Sequence, residues 1–271
     1  YPEDTDLLYG LAKAYAESDP SQMEEPLHTA MFTNPDHIPS LLLQAHNQAD
    51  AEQYETANGI LKAIFKINPH HAESWALQAA LHTVRNEPDK AKSARASGLK
   101  YWKTNPLVDH EIGKKLSSKY LFTEGAAHQR QALVFDKDFL PAKIQLAQDL
   151  LRLGLEREGW AMAEAAHEID GYDVTTFNLI TLKDTLDKYT TLTNANFRVR
   201  MTPHEAAIYG PRALRLLEKA HATLSKKYEL KLEQQTTVEI FADQKDFGVR
   251  TFGMPDNPGF LGVCFGCVIT A

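Results

Sequence analysis

Residues 34–69 read NPDHIPSLLLQAHNQADAEQYETANGILKAIFKINP, and the arrangement of this stretch decides the architecture. Asn-Pro bounds it at both ends, as Asn34-Pro35 and Asn68-Pro69. Between them, Ile38 to Ala49 carries Leu41, Leu42 and Ala45 on one helical face. Tyr54 to Ile67 carries Ala57, Leu61, Ile64 and Phe65 at three- and four-residue steps. The reading is a pair of short amphipathic helices. Small residues at Ala45 and Ala57 let the two helices approach closely, and large ones fill the space toward neighbouring pairs. One pair alone would leave its apolar stripe in water.

Working outward, the dipeptide returns as Asn105-Pro106, giving spacings of 34 and 37 residues. The phase continues without proline at Asp136-Lys137, 31 residues later, and at Asp170-Gly171, 34 residues after that. A period near 34 is the length of two short helices plus their turns. The next unit repeats the design, with Trp75, Ala79 and Ala80 in its first helix and Ala91, Ala94 and Leu99 in its second. Stacking buries what each pair exposes. The expectation is a mainly α chain, with an α-solenoid over residues 1–188.

These units resemble tetratricopeptide repeats, in which an aromatic opens the first helix, small residues sit at the crossing and proline closes the second. Trp75, Ala79, Ala91 and Pro69 occupy those places in one unit, and Leu41, Ala45, Tyr54, Ala57 and Pro69 in the preceding one. Lys143 departs from the pattern where an aromatic is usual, and Trp160 where a small residue is. The resemblance implies a concave groove for a peptide or protein. Gln44, Gln48, Gln78 and His82, on the first helices of their pairs, are the candidate binding residues, and Gln145 and Asp149 extend the set.

From Tyr189 the helical period gives way to alternation. Phe197, Val199 and Met201 fall on one side of a short run, with Arg198 and Arg200 on the other, which reads as a strand. Tyr189 to Leu192 is expected to pair with it across a Thr-Asn-Ala-Asn turn. Thr202-Pro203-His204-Glu205 then supplies an N-cap, a first-turn proline and an early acid for a helix to about Tyr228, with Gly210-Pro211 a place for a kink. Thr236 to Phe241 reads as a second strand, Gln244 to Phe252 as a short helix and Phe260 to Thr270 as a third strand. The expectation for 189–271 is a small α/β segment with helices on one face of its sheet.

This segment is similar to the opening part of peptidase-MA-like domains, the gluzincin type of zinc metallopeptidase found behind bacterial tetratricopeptide arrays. The resemblance rests on Tyr209-Gly210-Pro211-Arg212, Val238-Glu239-Ile240-Phe241, Lys245-Asp246-Phe247, residues 249–255, and Gly262-Val263-Cys264-Phe265-Gly266 with residues 268–271. It implies a bacterial protein whose last strand, Gly262 to Gly266, lies along a substrate cleft. It also implies a zinc-binding His-Glu-x-x-His helix further on, beyond Ala271. On that reading the chain is the non-catalytic front of a zinc-peptidase-like protein, with no cofactor in this portion and zinc in the longer parent. The other reading is a complete helical-repeat binding module capped by the α/β segment.

Within the chain, zinc peptidase chemistry would need two histidines one helical turn apart and a glutamate as base. His110-Glu111, His167-Glu168 and His204-Glu205 are followed three residues on by Lys114, Gly171 and Ile208, so none completes the motif. No hydrolytic activity is expected of these residues. Cys264-Phe265-Gly266-Cys267 has C-x-x-C spacing, but in a strand and without a second pair it reads as packing. His70-His71 read as exposed linker residues. Residues 253–259, with Asp256-Asn257, read as a turn and not as a phosphate loop.

Composition bounds the remaining classes: 43% of residues are hydrophobic and 24% charged, as in ordinary globular domains. The formal net charge of -7 with no basic run speaks against nucleic acid as a partner. The strongest apolar stretch, Phe260 to Ile269, is too short for a membrane span. The start at Tyr1-Pro2 carries no methionine and no signal pattern, reads as processed or engineered, and leaves the compartment open.

Overall fold

The computed structural model describes residues 4–232, 234–255 and 259–271. The Tyr1-Pro2 start and the Asp256-Asn257 turn lie outside the described residues. The chain is mainly α, a tetratricopeptide-like series of helix pairs followed by a small five-stranded sheet. It divides into two compact units, Tyr1–Lys119 and Tyr120–Ala271. No helix among the described residues is long and apolar enough to cross a membrane.

The first unit holds α1 (Thr5–Ser18), α2 (Glu24–Thr33), α3 (Ile38–Asp50), α4 (Tyr54–Ile67), α5 (Ala72–Val84), α6 (Pro88–Gly98) and α7 (Pro106–Ser118). Its central core joins Ala45 and Ala49 of α3, Ala57, Leu61 and Ile64 of α4, and Leu77 and Leu81 of α5. The small alanines allow the crossing, and the leucines and Ile64 fill the layer between pairs. Trp75 stacks on Phe65 at 4.0 Å between ring centroids, and its indole N–H donates to the Pro69 carbonyl. The repeated Asn has a definite task. The Asn34 and Asn68 side-chain oxygens accept the backbone N–H two residues on, closing the turn after α2 and α4. Asn105 makes the same bond to Leu107 but as the N-cap of α7. The longer loop after α6 accounts for the 37-residue spacing.

Within α3–α4 and α5–α6, the turn between helices places a residue in the left-handed region, Glu52 (φ 60) and Asn86 (φ 57). The following N–H groups, of Gln53 and Glu87, return to the carbonyls of Gln48 and His82. His71, read from sequence as an exposed linker residue, is instead half-buried and caps α5, accepting from the Ser74 N–H. Proline at 69 ends one helix and leaves position 71 to start the next.

The second unit holds α8 (Phe122–Phe135), α9 (Leu140–Arg152), α10 (Glu156–Ile169) and α11 (Val174–Leu186), then β1 (Thr190–Thr193), β2 (Phe197–Met201), α12 (Pro203–Tyr228), β3 (Thr236–Glu239), α13 (Gln244–Phe252), β4 (Val263–Cys264) and β5 (Val268–Thr270). Asp136 and Asp170 repeat the asparagine turn, accepting from Asp138 and Tyr172. The sheet order is β1-β2-β3-β5-β4. Strands β2, β3 and β5 are parallel, and the two edge strands run antiparallel to their neighbours.

Two sequence expectations are corrected in this unit. Phe260 to Thr270 is not one strand but a hairpin: Gly266 (φ 79) takes a conformation that reverses the chain, and Phe265 N–H bonds back to the Val268 carbonyl. The sheet is also covered on both faces. Phe197, Val199, Met201 and Val238 pack against Leu214 and Leu217 of α12. On the opposite side Arg200 reaches Glu156 of α10, and Glu239 meets Arg250 of α13. That second cover explains why every residue of β3 is buried, including Glu239. α12 runs through Gly210-Pro211 as one helix, with Gly210 fitted so closely that an added Cβ would lie 2.9 Å from Leu192.

Candidate functional site

Four first helices of the first unit, α1, α3, α5 and α7, line one open groove of about 600 Å³. α1 contributes Tyr9, Lys13 and Ala16, and α3 contributes Pro39, Leu42, Leu43, His46 and Asp50. His71 and Glu73 come from the start of α5, and Glu111, Lys114, Lys115 and Ser118 from α7. The second helices of the pairs contribute none of these residues. Helix pairing puts α4 and α6 on the outside, so successive first helices face the same concavity.

The charges in this groove divide into satisfied and unsatisfied groups. Lys115 is 7% exposed and extends from α7 to Asp50 at the end of α3, with Nζ 2.8 Å from Oδ1. Lys119 donates to the Asp50 carbonyl and sits over the Tyr54 ring. The clasp therefore spans α5. Burial pushes the Lys115 ammonium below its ordinary range, and Asp50 pulls it back. His71 pairs with Glu73 at 3.3 Å. Lys13, Glu111 and Lys114 make no ion pair among the described residues, and Lys13 and Lys114 are exposed. His46 has no hydrogen-bond partner among the described residues. Burial, then the charges of Lys115 and Lys114, push its imidazole down to about 3, so it is neutral at ordinary pH. Lys114 and Lys115 thus face His46 from α7, while the groove as a whole is lined by Asp50, Glu73 and Glu111 as well as by Lys13, Lys114 and Lys115.

None of the six sequence candidates lines this groove. Gln44 and Gln48 are half-buried elsewhere on α3. Gln78 donates to Asn58 of α4 and approaches His82 at 3.0 Å, and His82 pairs with Glu87 at 2.6 Å. Gln78 thus links α5 to the last helix of the preceding pair, and His82 links α5 to the start of α6 within its own pair. Gln145 donates to Asp149, which is fully buried and lies 3.9 Å from Arg152. A fully buried carboxylate offers no surface to a partner. Leu43, His46, Lys114 and Lys115 line the groove and were not among the sequence candidates. The available signal was the phase itself, since Pro39, Leu42, Leu43, His46 and Asp50 follow three- and four-residue steps around α3.

In the second unit, Gly262 to Gly266 run along the outer edge of the sheet, with β4 hydrogen-bonded to β5. Val263 is half-buried, Cys264 is exposed, and Phe265 turns inward onto Phe122 at 5.6 Å. Cys264 and Cys267 are both free thiols. The Cys267 thiol donates to the Leu153 carbonyl, and burial pushes it up. No group of three or more His, Cys, Asp or Glu side chains among the described residues is placed to hold a metal ion.

No family model matches the chain, and no curated protein matches it. Among solved structures it is similar to PilW, a type IV pilus biogenesis factor, at 16% identity and TM-score 0.42, covering 66% of this chain and 83% of that one. It is similar to PilF of Pseudomonas aeruginosa at 12% identity and TM-score 0.41, covering 83% and 97%. It is also similar to YrrB, a TPR protein with an unusual peptide-binding site, at 9% identity and TM-score 0.36, covering 66% and 93%. Likeness at this level carries no inference about activity or partner.

Proposed function

We propose that the protein is an interaction scaffold whose first unit captures an extended polypeptide segment in the groove between α1, α3, α5 and α7. The observation that carries this reading is the composition of that groove. Leu42, Leu43, Tyr9 and Ala16 give apolar area, and beside them stand Lys13, Lys114 and the His46 imidazole, which make no ion pair or hydrogen bond among the described residues. Such mixed concave surfaces bury apolar side chains of a ligand while polar groups fix its register. The test is selection from a phage-displayed random peptide library, repeated on Ser118→Trp, which fills the groove from an exposed helix position. Peptides retained by the parent and lost on the variant support the reading. Selected peptides that bind both equally remove the groove from it.

A second reading concerns residues 189–271, as the opening part of a zinc-peptidase-like domain joined to the scaffold. The observation favouring it is the antiparallel edge strand β4 beside parallel β3 and β5, with Gly262 to Gly266 along that edge. Zinc content and casein hydrolysis of the native gene product decide it. Bound zinc with hydrolysis supports a peptidase, and absence of both removes the enzymatic role.

A further inference from the structure

We propose that the solvent face of α12 is a docking surface for an anionic lipid bilayer, with the helix lying along the headgroups. The reading is independent of the groove, since α12 belongs to the second unit. Its 26 residues span about 39 Å. One side covers the sheet, where Ala206, Ala213, Leu214 and Leu217 pack with Val199 and Val238. Its packing partners are β1 and β2, with no helix laid alongside it among the described residues. On the opposite side, a turn of about 100° per residue places Ile208, Tyr209 and Leu216 within one arc of about 120°. They are 54%, 57% and 66% exposed. Arg212, Arg215, Lys219, Lys226 and Lys227 fall in the same arc, and all five are exposed.

Charge names the occupant. The chain carries a net charge of -7, yet α12 exposes no acid, and none of its five exposed cations makes an ion pair among the described residues. Its two carboxylates are half-buried and engaged: Glu205 accepts from the Thr202 hydroxyl and Glu218 from the Asn196 amide. The cations gather on one face by helical phase without forming a run in the sequence. Their mutual repulsion is relieved by an opposing layer of anionic headgroups. A single convex helix with no neighbour beside it forms no concavity in which a peptide could bury its side chains, whereas a flat, deformable surface needs none. The long lysine and arginine stems reach past their apolar neighbours to the headgroups, while Ile208, Tyr209 and Leu216 enter the boundary below.

The experiment is sedimentation of the whole chain with vesicles of phosphatidylcholine alone and of phosphatidylcholine with equimolar phosphatidylserine, starting at low salt. Binding is expected to the anionic vesicles, weakening as salt is added, with little to the neutral ones. Arg215→Gln with Lys219→Gln should weaken it about ten-fold or more, whereas Lys62→Gln with Lys66→Gln, the same charge change on α4, should leave it within about two-fold. Leu216→Gln should weaken it by about three-fold or more with the salt dependence retained. All five substituted side chains are exposed, so circular dichroism should be unchanged throughout. No binding to anionic vesicles, equal binding to both compositions, or equal losses for the α12 and α4 pairs overturns the proposal. Tighter binding to soluble polyglutamate than to anionic vesicles at equal charge concentration also overturns it, assigning the face to an acidic protein. The groove reading stands or falls separately.

Discussion

Asn34, Asn68, Asn105, Asp136 and Asp170 all use a side-chain oxygen to hold the N–H two residues ahead. Asparagine and aspartate place that oxygen at the same distance from the backbone, which is why the repeat tolerates either residue but keeps its spacing. Asp170→Ala should cost about 1 kcal/mol and Asp170→Asn almost nothing, measured by urea unfolding. Glu52 argues the other way. Its left-handed backbone (φ 60) is costly for a residue with a Cβ, so Glu52→Gly should raise stability by up to about 1 kcal/mol despite its greater freedom when unfolded. This regularity was legible because a local hydrogen bond needs only neighbouring residues. The side chains of the groove were not. Gln48 lies two residues beyond His46, about 200° around the helix, and the choice between those faces is made by the packing of the next pair.

At the scale of elements, the helices and the first three strands follow from periodicity, since each buries one continuous stripe or alternates across a sheet. The β4–β5 hairpin did not show itself because the run Phe260 to Thr270 is apolar enough for one strand, and its reversal depends on a single Gly266. The second cover on the sheet was hidden for a related reason: Arg200 and Glu239 read as solvent-facing until α10 and α13 supply Glu156 and Arg250. α13 is seated closely on its own following turn. A Cβ at Gly248 would stand 2.7 Å from the carbonyl oxygens of Met254 and Pro255. Both are backbone atoms that give way poorly, so Gly248→Ala should cost about 1–3 kcal/mol by thermal or urea unfolding. Arg250→Leu should cost about 3 kcal/mol, because Glu239 is 0% exposed and would lose its 2.7 Å partner while keeping Arg200 at 3.2 Å.

Acid sensitivity belongs to the whole molecule, and His46 sets part of it. Burial and the two lysines push its imidazole down to about 3 in the folded chain, against an ordinary value near 6.5, so the unfolded chain takes up the proton first. The contribution is therefore fully present above about 6.5 and is lost as pH falls from there toward 3. His46→Gln is expected to flatten the fall in melting temperature between pH 7 and pH 4, and the parent His46 proton shifts should stay constant over the same interval by NMR. The Lys115–Asp50 clasp has a different bearing on the whole. Stacks held only through adjacent layers fray one layer at a time from an end. Here α7 grips α3 directly, and α5 packs against both of them. The middle layer is thereby locked like a keystone, and in hydrogen exchange α5 should open only after α7 has let go.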